Sequence, residues 1–241
     1  MVDETQPRPQ EEPQPLEMEL QRIEAAGVQD GYHVIRLHTS RGLVLAHYYE
    51  APSSPGAREG VVLIGGVGGG FDSPARGLYP RLAKDLQAEG VNSLHIRYRH
   101  PTELEECVLD VLAGLAFLQA VRMESAAVVG HSSGGAVAIW AGTLSPMVKA
   151  VVTLATQSYG TGMADQLSPR PLLLIHGTTD AVLPPSSSEQ VYHRARQPKE
   201  LKLYPGAGHG LDEVADELEE FLKSWLLGKL HTAASPAKKA S

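Results

Sequence analysis

Six short apolar runs, at residues 61–64, 91–98, 126–129, 150–155, 172–175 and 201–204, alternate with segments whose apolar residues recur at helical spacing. Uninterrupted runs such as 61–64, 126–129 and 172–175 suit strands buried on both faces, and the helical segments between the runs supply the cover. This rhythm restricts the chain to an α/β architecture: a mostly parallel sheet with helices on both faces. Upstream, residues 32–37 and 43–49 are rich in β-forming side chains and flank Ser40-Arg41-Gly42, which predicts an antiparallel hairpin opening the fold.

With 241 residues, 42% of them hydrophobic, the chain can bury one substantial core, so a single domain is expected over residues 29–229. Residues 1–28, with Pro7, Pro9, Pro13 and Pro15 among Glu and Gln, predict a disordered segment with a short helix inside 16–26. Residues 230–241, mostly Ala, Ser and Lys, predict a disordered tail. Thr102-Glu103-Leu104-Glu105 has the form of a capping box before a long helix, and Gly90 and Gly228 stand where left-handed helix ends are expected. The lone Cys107 falls at helical spacing with Leu104, Val108, Val111 and Leu115 and is expected in the core.

A net charge of -7, with no block of Lys and Arg, argues against a nucleic-acid partner. No apolar run is long enough for a bilayer, and Met1-Val2-Asp3-Glu4-Thr5 lacks the layout of a secretory signal, so no membrane partner and a cytoplasmic location are expected.

The chemistry concentrates at strand ends. The run 126–129 leads into Gly130-His131-Ser132-Ser133-Gly134-Gly135 and then directly into a helical segment. A serine in a tight strand-to-helix turn needs glycine two residues to either side, because larger side chains there would collide with its neighbours. Only Ser132 meets that condition; Ser133 has His131 at the corresponding position and is assigned a backbone N–H role. The run 172–175 is followed by a loop carrying Asp180, and the run 201–204 by a glycine-rich loop carrying His209. Singly, each has a plain alternative, a turn-forming Asp or a satisfied His. In the order Ser132, Asp180, His209, each after its own strand, they form a candidate nucleophile, carboxylate and base. Asp72 and Asp212 are rival carboxylates, but each has an expected local task at the start of a helix.

The first buried run empties into Gly65-Gly66-Val67-Gly68-Gly69-Gly70. A phosphate loop would end in Gly-Lys-Ser/Thr and a dinucleotide loop would open a helix at once, whereas Phe71-Asp72-Ser73-Pro74 follow here. The loop is therefore read as half of an oxyanion hole, with the backbone N–H of Val67 joining that of Ser133.

These segments, around residues 65–70, 130–134, Asp180 and His209, resemble those of the α/β-hydrolase superfamily, and the resemblance spans about residues 30–228. Within it the chain is most similar to small lidless serine esterases and dienelactone-hydrolase-like proteins. It differs from true dienelactone hydrolases in having Ser rather than Cys as nucleophile, and it has Gly65-Gly66 where many relatives read His-Gly. The resemblance implies hydrolysis of a small carboxylic ester through an acyl-serine, with no cofactor and no metal. A thioesterase, peptidase or acyltransferase with the same triad is the enzymatic alternative, and a non-catalytic receptor or scaffold the alternative from another class. Relatives with a lid insert it after the strand that follows the nucleophile helix; only about fifteen residues, 156–170, are available there, so no cap domain is expected. Phe71, Tyr98, Tyr159 and Val182 are candidate walls of a pocket for a small-molecule acyl substrate. Arg97, Arg99 and His100 could contact an anionic substrate, or pair with structural carboxylates.

Overall fold

The structure is a computed structural model and describes residues 17–52 and 58–233. The apolar runs become the parallel part of a nine-stranded sheet. Its strands are β1 (Leu20–Gln29), β2 (Tyr32–Thr39), β3 (Gly42–Tyr49), β4 (Glu59–Ile64), β5 (Asn92–Arg97), β6 (Ser125–His131), β7 (Val148–Leu154), β8 (Leu172–Gly177) and β9 (Lys199–Tyr204), in the order β1-β2-β3-β5-β4-β6-β7-β8-β9. The first three strands pair antiparallel, as does β3 with β5; from β5 to β9 every pairing is parallel.

Every residue of β4, β6 and β8 is buried, because helices cover both faces. Along β4 the faces alternate: Val62 and Ile64 enter the core with α2 (Leu104–Ala120), α3 (Ser133–Leu144) and α4 (Ser186–Arg194). Val61 and Leu63 enter the second core with α1 (Pro74–Ala88) and α5 (Ala215–Ala233). Burying such side chains contributes about 1.5–3 kcal/mol each, and the two cores hold the sheet's carboxyl edge rigid where the site lies. Cys107 belongs to the first core, with its thiol pushed up to about 12 by burial.

Several local expectations are corrected. Residues 20–29 are neither disordered nor helical: they form β1, paired with β2 along its length. This edge strand is mostly exposed, so ladder hydrogen bonds and the cross-strand contacts of Glu24 with Arg36 and His38 hold it rather than an apolar face. The preceding residues 1–16 lie outside the described residues, as do 234–241. At the other end α5 runs through Gly228 to Ala233, since Leu222, Leu226 and Leu230 continue a buried stripe at four-residue spacing past the glycine. The expected tail therefore begins as helix. The capping box at Thr102 is not formed: α2 starts at Leu104, its cap residue is Glu103, and no side chain caps it. Gly90 does take a left-handed conformation just after α1, with φ +82°.

The basic cluster at the end of β5 divides. Arg99 is buried and spans Asp110 and Glu106 of α2, and its Nη1 donates to the carbonyl of Arg41 at 2.7 Å, locking the β2–β3 turn to the helix. It is structural, while His100 is half exposed. Asp110→Ala should lower unfolding free energy by about 3 kcal/mol in denaturant melts, since it strips a buried guanidinium of a partner. His100→Ala should change it by less than about 0.5 kcal/mol.

Candidate active site

Ser132 joins β6 to α3 in a conformation that L-residues rarely adopt, φ 57° and ψ -123°. Such a backbone costs roughly 1–3 kcal/mol and persists only where its surroundings over-determine it. The flanking glycines make it sterically feasible. A Cβ on Gly130 would sit 2.0 Å from the carbonyl oxygen of Gly134, and one on Gly134 would sit 2.3 Å from that of Gly65. The Ser132 amide donates to the Leu154 carbonyl at 2.8 Å, so the neighbouring strand fixes the turn.

The structure brings Ser132, His209 and Asp180 together. His209 Nε2 lies 3.1 Å from Ser132 Oγ, and His209 Nδ1 lies 2.7 Å from Asp180 Oδ2. An ionised carboxylate only accepts, so Nδ1 carries the proton and Nε2 accepts from the serine hydroxyl. Asp180 sits in the loop after β8, its side chain fully buried. Its Oδ1 accepts the amides of Val182 and Leu183, each at 2.8 Å. Burial alone would raise its pKa, but the Leu183, His209 and Val182 donors outweigh it, and the carboxyl is held below its usual range. The ionised form is thus the stable one beside His209.

The His209 loop is pinned from several sides. Thr179 donates its amide to the Ala207 carbonyl at 3.0 Å, and Glu213 accepts the amide of Gly208 at 3.0 Å. His131, one residue before the serine, donates from Nε2 to the His209 carbonyl at 3.0 Å. Burial lowers the His131 pKa, so it remains a neutral donor. Neither rival carboxylate reaches the histidine: Asp72 accepts the amide of Ser73 and Asp212 that of Arg76. Asp72 therefore does not cap α1 in the expected way. That helix opens with a left-handed turn over Ala75, Arg76 and Gly77.

Ser133 is the first residue of α3, so its N–H has no helix carbonyl four residues back. Gly66 passes directly over the serine, its Cβ position 3.1 Å from that of Ser132, and the chain continues into exposed Val67.

The candidate walls separate. Val182 and Tyr159 are exposed, at 68% and 80%, on loops at the carboxyl edge. Phe71 stacks on His47 with ring centroids 3.6 Å apart. Tyr98 is a correction: it is 5% exposed and packs in the core with Cys107 and Val108, because α2 folds over the end of β5. Residues 155–171 carry only a five-residue 3-10 turn, Gly162–Gln166, and Trp140 ties the segment down through the Gly160 carbonyl at 2.6 Å.

Sequence reasoning missed His176, at the end of β8, which is buried and shares Oδ2 of Asp180 with His209. The signal was its position four residues before Asp180, at a strand terminus pointing to the same loop. Among the described residues no group of His, Cys, Asp or Glu is arranged to hold a metal ion, and no helix is long and apolar enough to cross a membrane.

The family model described as serine aminopeptidase, S33, matches residues 162–213. An uncharacterized protein YfhR of Escherichia coli (strain K12) is 36% identical over 84 residues, 34% of this chain and 29% of that protein. The chain thus matches under a third of the length of that relative. Among solved structures, Est1E from Butyrivibrio proteoclasticus superposes with a TM-score of 0.71 at 16% identity, covering 82% of this chain and 99% of that one. A dienelactone hydrolase from Anabaena variabilis superposes at 0.69 with 18% identity, covering 88% and 100%. The Pyrococcus furiosus esterase PF2001 superposes at 0.63 with 18% identity, covering 83% and 91%. At these identities the likeness is one of fold.

Proposed function

We propose that this chain, which has the α/β-hydrolase fold, is a serine hydrolase that cleaves small carboxylic esters through an acyl-serine intermediate. The observation that carries the reading is the continuous hydrogen-bond line from Ser132 through His209 to a buried, ionised Asp180, set on a strained strand-to-helix turn. The strained turn costs stability, and what it does is present Oγ at the carboxyl end of the sheet, where a substrate can reach it.

The chemistry follows from the geometry. Ser132 Oγ attacks the ester carbonyl while His209 Nε2 takes its proton, and Asp180 stabilises the imidazolium that forms. The developing oxyanion is bound by the N–H of Ser133 and that of Val67, each such donor contributing about 3 kcal/mol of transition-state stabilisation. The alcohol leaves with the proton from His209. Water then repeats the sequence on the acyl-serine, with the same histidine as base.

Without a cap over 155–171 the site is open, and exposed Tyr159 and Val182 offer a shallow apolar wall suited to a short acyl group. The enzyme is expected to prefer acetyl and butyryl p-nitrophenyl esters over the palmitoyl ester, with no rise in rate at the substrate's micellar threshold. A preference for emulsified long-chain triglyceride would contradict this.

A second reading, aminopeptidase, is favoured by the description of the family model matched over 162–213. Assays of the same preparation on aminoacyl p-nitroanilides and on acyl thioesters separate the leaving groups. Turnover of the anilides at rates above those of the esters would replace the ester assignment and leave the triad in place.

A further inference from the structure

We propose that His176 is a positioning residue for the triad, holding the Asp180 carboxylate in the plane that His209 requires. The inference rests on the serine-hydrolase reading above. The His176 side chain is fully buried at the end of β8. Its Nε2 faces two acceptors, Asp180 Oδ2 and the Leu183 carbonyl, each at 3.0 Å. Neither can donate, so Nε2 carries the proton. Its Nδ1 lies 2.7 Å from the hydroxyl of Ser188 on α4, which is also buried and donates to it.

Two hydroxyl–imidazole pairs therefore converge on one carboxylate oxygen. From one side Ser132 donates to His209, which donates to Asp180 Oδ2; from the other Ser188 donates to His176, which donates to the same oxygen. The amides of Val182 and Leu183 fix Oδ1 but leave the carboxyl plane free to turn about that oxygen. His209 donates to Oδ2 but is itself the ring to be oriented, so the N–H of buried His176 is the second donor that fixes Oδ2 from the side of the fold. The two acceptors at Nε2 set the tautomer, and the Ser188 hydroxyl, which can turn to donate, satisfies the bare Nδ1. An imidazole that merely filled space here would not need a buried hydroxyl on one nitrogen and a carboxylate on the other, since burying such groups without matched partners is costly.

The test uses the full chain and a fluorophosphonate probe, whose labelling rate reads nucleophile activation whatever the natural substrate. His176→Asn ends near the Nδ1 position and loses the donor to Asp180. His176→Gln is long enough to keep an N–H near the Nε2 position. The asparagine variant is expected to label about 10- to 100-fold more slowly, the range seen when a metal-bound histidine loses the hydrogen-bond partner that orients it. The glutamine variant is expected within about 3-fold of the parent. Equal slowing of both variants, or no slowing of the asparagine variant, would overturn the proposal. Ring-nitrogen NMR of the unmodified protein gives a readout that needs no variant to fold and no activity. It should show His176 as the Nε2–H tautomer with a ring proton shared with Asp180, and an Nδ1–H tautomer would overturn the proposal. A parent protein that the probe does not label, with His176 still in the Nε2–H form, would instead count against the serine-hydrolase reading.

Discussion

Ser132→Ala is expected to lower turnover by about six orders of magnitude, while substrate affinity and thermal stability stay close to those of the parent. The size follows from the step removed. Without Oγ there is no acyl-enzyme, and what remains is attack by water assisted by the oxyanion donors and by binding alone. Stability is preserved because alanine keeps the Cβ at a residue with φ 57°, so the elbow and its glycine contacts are unchanged. The measurement is steady-state hydrolysis of p-nitrophenyl acetate with circular-dichroism melts of both proteins. Residual turnover within 100-fold of the parent would mean that the serine is not the nucleophile.

Asp180→Asn is expected to lower kcat by roughly three to four orders of magnitude with little change in KM, the signature of an interaction made in the transition state. The amide cannot accept at both oxygens as the carboxylate does. Its NH2 either faces the Nδ1 of His209, forcing the proton to Nε2 where it can no longer take one from serine, or abandons the Val182 and Leu183 amides. The substitution also removes a pH-dependent contribution to stability. The carboxyl pKa is depressed in the folded state, so its contribution is present above the unfolded value, near 3.8, and is lost as pH falls through the folded one. Asp72→Asn and Asp212→Asn should each cost less than about tenfold, since each holds a backbone amide away from the histidine. If one of them loses turnover by a thousandfold while Asp180→Asn retains it, the carboxylate assignment is wrong.

What was legible in the sequence is what a short-range pattern encodes. The continuous apolar runs of β4, β6 and β8 declare strands covered on two faces, and the glycines around Ser132 declare a turn in which a Cβ would strike backbone. Features set by long-range packing were not legible. Strand β1 is held by its ladder to β2 and shows no buried face, so nothing periodic marks it. Tyr98 follows a strand at the catalytic edge, yet α2 closes over it and makes it core. For Arg99 a structural carboxylate partner was an expected alternative, but which of the basic residues takes it, and that Asp110 and Glu106 on α2 supply it, is set by packing. His176 was visible as a residue but not as a partner, because its meaning depends on Ser188, twelve residues away on another element.

The central claim, that Ser132 is the nucleophile, is tested most directly by mapping the adduct of a fluorophosphonate probe by peptide mass spectrometry. The hydroxyl of Ser132 has the His209 Nε2 3.1 Å away, whereas the buried hydroxyl of Ser133 has no hydrogen-bond partner among the described residues. The account predicts one adduct, on Ser132, absent in Ser132→Ala and retained in Ser133→Ala; an adduct on Ser133, or labelling that survives Ser132→Ala, would contradict it.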